Sequence, residues 1–97
     1  MKVYPVLISA KAEEQLRAIQ LIVARRDGPP AARRFIDRIL TEIGKLEIFP
    51  ERGTVRLELG PGIRVIGVHR SIDLAFVVHA EFVEVLRVTY AGQQLNL

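Results

Sequence analysis

The chain has no cysteine and no tryptophan, and only two histidines and one methionine in 97 residues. Without a thiol there is no disulfide framework, no thiolate metal site and no cysteine nucleophile. Two distant histidines without HxxxH spacing do not compose a metal site, so neither a metal nor a cofactor is expected. No stretch approaches the ~20 apolar residues a membrane helix requires. Charge returns at Lys11, too early for a secretory leader. A soluble cytoplasmic protein with no membrane partner is the expectation. "GPG" at 60–62 is too short for a phosphate loop, and no serine has the setting of a nucleophile elbow.

What remains is ordinary for one domain over residues 1–97: 49% apolar, 26% charged, net charge +3. The charge is unevenly spread. Residues 1–49 carry nine Lys/Arg against six Asp/Glu, whereas residues 50–97 carry five of each. Eleven of the fourteen cations are arginine, whose fork matches phosphate and carboxylate, so an anionic partner and an ordinary solvated surface are both open.

"KVYPVLI" at 2–8 reads as a strand, with Pro5 marking a position that cannot donate to a ladder. Ser9 is placed to cap a helix whose apolar stripe is Ala12, Leu16, Ile19 and Val23. "RDGPP" ends it, with Gly28 suited to the left-handed position past the helix and Pro30 to the first turn of the next. The second helix, about 30–47, carries the stripe Phe35, Ile36, Ile39, Leu40, Ile43 and Leu46. After "FPERG" come "TVRLEL", "IRVIGVH", the link "RS", "IDLAFVVH" and "VEVLRVTY", closely spaced strands that should pair antiparallel. The expected fold is α+β: an N-terminal strand, an antiparallel helix hairpin, then a three- to four-stranded antiparallel sheet with the helices on one face.

Strict alternation places Arg64, Ile66 and Val68 on one face of their strand and Ile63, Val65, Gly67 and His69 on the other. It groups Val85, Arg87 and Thr89 against Glu84, Leu86, Val88 and Tyr90. On that count Arg64 and Arg87 meet on the face away from the helices, either as a phosphate-receiving surface or as solvated side chains paired with Glu58, Asp73 or Glu84. Arg52 and Arg56, in the hinge between the halves, extend the same basic rim. Metal-free phosphodiester cleavage needs a base, an acid and cations for developing charge. Arg64, Arg87 and Tyr90 can supply cations and a proton or stacking ring, but no base is evident. His69 and His79 read as turn caps, and Glu51 and Glu58 are carboxylates without support.

The order "ISAKAEEQL", "GPPAARRFIDRILTEIGKLEIFPERG", "LGPGIRV" and "VLRVTYAG" resembles the RelE/ParE superfamily of type II toxin–antitoxin toxins over nearly the whole chain. The resemblance implies a small toxin, a plasmid-stabilisation type of module, in a hetero-oligomer with a cognate antitoxin that is acidic and partly disordered. The ParE-like branch poisons DNA gyrase and is not itself a nuclease; the hinge, the "GPGIRV" entry and the "LRVTYAG" ending look more like it. Arg64, Arg87, Arg52 and Arg56 would then bind the target. The RelE-like branch is an enzyme, an endoribonuclease cutting mRNA on the ribosome, and Arg64, Arg87 and Tyr90 match its basic and C-terminal positions, with only Lys45 left of its base region. An inactive member that only binds antitoxin is the third alternative.

Overall fold

The computed structural model describes every residue except Met1, Arg70 and Asn96. In chain order it runs β1 (Val6–Ile8), α1 (Ala10–Asp27), α2 (Pro29–Gly44), a 3-10 turn (Lys45–Glu47), β2 (Thr54–Val55), a second 3-10 turn (Leu57–Leu59), β3 (Ile63–His69), β4 (Ile72–Val78) and β5 (Val83–Tyr90).

Both helices start and stop where local chemistry requires. The Ser9 hydroxyl accepts from the Ala12 N–H at 3.1 Å, satisfying one of the donors left unpaired at a helix start. Gly28, at φ 93°, breaks α1 from α2, and Pro29 and Pro30 occupy the first turn of α2, where their missing N–H groups cost nothing. The stripe Ala12, Leu16, Ile19 and Val23 is buried throughout. On α2, Ala32, Ile39 and Ile43 are buried, whereas Leu40 is 41% exposed and so lies at the margin of the stripe. The expected last helical turn tightens into the 3-10 segment that buries Leu46.

The sheet differs from the expected antiparallel meander. It has five strands in the order β1-β5-β4-β3-β2, and β1 pairs parallel with β5 while the others are antiparallel. The helix hairpin carries the chain from β1 at one edge of the sheet to β2 at the other, and β3, β4 and β5 then return to β1, a connection long enough for parallel pairing. Pro5 sits just before β1 and offers its carbonyl to the Val83 N–H, so the residue without a donor begins the edge strand. "TVRLEL" contributes only Thr54–Val55 before it turns. Arg70, half of the expected link between β3 and β4, lies outside the described residues.

Two irregularities set which side chains face the helices. In β5, Val85 pairs with Phe76 and Arg87 with Ala75, so Leu86 is an extra residue. In β3, Gly67 pairs with Asp73 and His69 with Ile72, so Val68 is extra. An inserted residue flips the alternation beyond it. Val83, Val85, Val88 and Tyr90 consequently all join the core with Ile72, Leu74, Phe76 and the helix residues.

Candidate functional site

Cross-strand partners share a face, so the register places each predicted arginine. Arg64 is opposite Phe76, which is fully buried beneath the helices; Arg64 therefore lies on the helix side, at the margin of the sheet. Arg87 is opposite Ala75, on the face turned away from the helices. The expectation that the two meet on one face is overturned by the extra residue at Leu86, which moves Val85 to the core side and leaves Arg87 and Thr89 on the other.

Tyr90 is on the helix side as well, 8% exposed, with its ring edge-on to Phe35 at 5.7 Å. Its hydroxyl shares the Arg26 guanidinium with Asp27; those two partners, Asp27 foremost, hold the Arg26 pKa above its ordinary value. The structure thus does not bring Arg64, Arg87 and Tyr90 together.

Arg64 is instead grouped with the hinge. Its Nη1 donates to the Arg52 carbonyl at 3.4 Å. The Arg52 Nη1 lies 4.0 Å from Glu42 Oε2, and Lys45 Nζ lies 3.0 Å from Glu42 Oε1, so one carboxylate at the end of α2 gathers two cations. Gly53, at φ 74°, lets this loop close on β3: a Cβ there would run into the Val65 carbonyl. Arg56 hydrogen-bonds Glu58, and that bond, chiefly, lowers the pKa of this exposed carboxyl. Large apolar side chains stand among these charges, with Phe49 65% and Leu57 73% exposed. Phe49, Ile48, Tyr4 and Arg52 help line an open hollow of about 910 Å³.

On the far face Arg87 Nη1 donates to the Leu86 carbonyl at 2.8 Å. That carbonyl also accepts from the Ser9 hydroxyl at 3.0 Å, so the extra residue of β5 is tied to the start of α1. The Val88 N–H, on the edge of β5 beyond the reach of β1, donates to Gln15 Oε1 at 2.7 Å.

The histidines are engaged elsewhere. His79 Nε2 is 3.0 Å from Glu84 Oε1 and its ring stacks on Phe82, which suits a residue at the β4–β5 turn. His69 packs edge-on to Phe35 at 5.2 Å, and Arg38 approaches its Nε2 at 3.4 Å. The other ring nitrogen, Nδ1, is buried without a hydrogen-bond partner among the described residues. The phase change in β5 has a sequence trace, because Val83 and Val85 are followed by Val88 and Tyr90; the one that carries His69 to the core side belongs to β3. In β3 no equally clear apolar break announces it. Among the described residues no three metal-ligating side chains come together, and no helix is long and apolar enough to cross a membrane.

Comparisons with known proteins agree with this architecture. The family model described as ParE toxin of type II toxin-antitoxin system, parDE, matches residues 6–95. A solved chain described as the chromosomal ParDE TA system from P. aeruginosa is similar in fold, with a TM-score of 0.80 at 22% identity, covering 92% of this chain and 97% of that one. No curated protein matches. With the family pattern running from β1 through the residues after β5, the chain belongs to the ParE toxins of type II toxin–antitoxin systems, within the RelE/ParE superfamily.

Proposed function

We propose that this chain is a growth-arresting toxin that poisons DNA gyrase and is neutralised by a cognate antitoxin. The observation that carries the choice of target is the separation of Arg64, Arg87 and Tyr90: Arg64 and Tyr90 belong to the helix side of the sheet and Arg87 to the other. Phosphodiester cleavage needs acid, base and charge-stabilising groups within hydrogen-bond reach of one reacting phosphate. Here the phenol is buried on the helix side with its ring against Phe35, and the histidines are engaged with Arg38 and Glu84. A surface that binds a protein target has no such requirement; Arg87 on one face, and Arg52 and Arg56 in the hinge, serve it as anchors.

The antitoxin reading rests on the hinge. Phe49 and Leu57 are exposed beside Arg52 and Arg56, the pairing of aromatic or apolar anchors with arginine that protein interfaces favour. A net charge of +3 suits an acidic, partly disordered partner that folds as it docks.

The test is a supercoiling assay on purified gyrase, scoring both loss of supercoiled product and protein-linked cleaved DNA, with Arg87→Ala beside the wild type. Inhibition by the wild type that weakens in the variant supports the reading. Intact gyrase activity at toxin levels that arrest growth overturns it; cleavage of mRNA on translating ribosomes would then establish the ribonuclease reading, and no arrest at all an antitoxin-binding member without activity.

A further inference from the structure

The chain's excess charge is concentrated at the tip of the helix hairpin. Residues 25–38 contain five arginines and two aspartates, an excess of three that equals the net charge of the whole chain. Arg25, Arg26, Arg33, Arg34 and Arg38 are all exposed. Three of them, Arg26, Arg34 and Arg38, line one hollow of about 210 Å³ whose floor includes Val23 and Phe35. Asp27 is the one acidic residue in that lining, and its carboxylate is held by Arg26 at 3.0 Å. Arg34 and Arg38 therefore supply uncompensated charge to a concave site, at a place the proposed gyrase and antitoxin surfaces do not use.

We propose that this hollow is a phosphate-binding site whose ligand is the backbone of duplex DNA. Guanidinium forks present paired donors that match phosphate oxygens, and all five cations at the tip are arginine rather than lysine. Arg34 and Arg38 are one helical turn apart, about 6 Å along the axis, close to two nucleotide steps of about 3.4 Å of axis each along one strand. Val23 is buried and Phe35 half-buried, so the site offers no exposed apolar anchor of the kind a protein partner would desolvate. A polar, strongly positive surface is the usual character of a DNA interface. Arg38 is already oriented towards His69 Nε2 at 3.4 Å, which reduces the side-chain ordering that binding requires. The site binds without reference to base sequence, and it is independent of whether gyrase is the target.

The experiment is fluorescence anisotropy of a labelled duplex with the purified full chain and no gyrase, titrated from about 50 to 200 mM salt, where phosphate contacts show their dependence. The two uncompensated arginines, each on one phosphate, give a slope of log affinity against log salt of about −1.8 for wild type. Arg34→Gln with Arg38→Gln should flatten the slope by about two. Lys2→Gln with Lys11→Gln, equal in charge but placed at the N-terminus and the far end of α1, should leave it nearly unchanged. Circular dichroism on every variant reports that the fold is kept. Absence of duplex binding by the wild type overturns the proposal, as does an equal loss in both double variants, which would indicate net charge acting without a site.

Discussion

Arg64 and Arg87 stand on opposite faces of one sheet, Arg64 registered against Phe76 and Arg87 against Ala75. Two strands of a shared sheet thus present their arginines to different neighbours. Arg64 braces the hinge through the Arg52 carbonyl, while Arg87 lies beside the Leu86 carbonyl and the start of α1.

Replacing each arginine should therefore have separable effects. Arg87→Ala is expected to abolish growth inhibition with the circular dichroism spectrum unchanged; full toxicity in a folded variant would remove Arg87 from the functional surface. The stability losses of Arg64→Ala and Arg87→Ala should add to within about 0.5 kcal/mol in the double variant, as expected for side chains on opposite faces of the sheet. Chemical denaturation of the four proteins measures this.

Tyr90→Phe removes only a hydroxyl that addresses Arg26, and leaves the ring on Phe35. Toxicity in a growth assay should survive the change. A folded Tyr90→Phe protein that no longer arrests growth would favour a proton-transfer role for the phenol and hence the ribonuclease reading.

Ser9 joins two structural features that are distant in sequence. Its hydroxyl accepts from the Ala12 N–H and donates to the Leu86 carbonyl of the extra residue in β5. Ser9→Ala removes both bonds, and a loss of about 1 to 2 kcal/mol is expected from the cap. Urea unfolding midpoints of the two proteins decide it, and equal midpoints would mean the cap contributes nothing here.

Neighbouring positions on α2 should differ widely in their response to the same charge. Ile39 is fully buried, so Ile39→Asp leaves an unpaired carboxylate in the core and should unfold the domain. Leu40 is 41% exposed, and Leu40→Asp should cost less than about 1 kcal/mol. Thermal melts of both variants would expose a misplaced core if Ile39→Asp melted like the wild type.

Gly53 is needed for its backbone. At φ 74° and pressed on the Val65 carbonyl, it should not accept alanine without about 1 to 3 kcal/mol of strain. The local consequence, faster amide exchange at β2 and the adjoining part of β3, can be followed by hydrogen exchange.

The sequence by itself determined the elements that depend on near neighbours. Helix periodicity located the buried stripe from Ala12 to Val23, Ser9 announced the cap, and Gly28 with Pro29 and Pro30 marked the break between helices. These are local choices of backbone angle and of unpaired donors within one turn, so nearby residues contain the information. The family resemblance depended on the order of such segments, and it holds over residues 6–95. Only the tertiary structure decided that β1 lies parallel beside β5, and that Arg64, Arg87 and Tyr90 part company. Pairing partners are chosen by which surfaces can be buried together, and a single extra residue at Leu86 or Val68 reverses every facing beyond it. Counting by twos along a strand assumes an unbroken ladder. Packing Val85 and Val88 into the same core required breaking it.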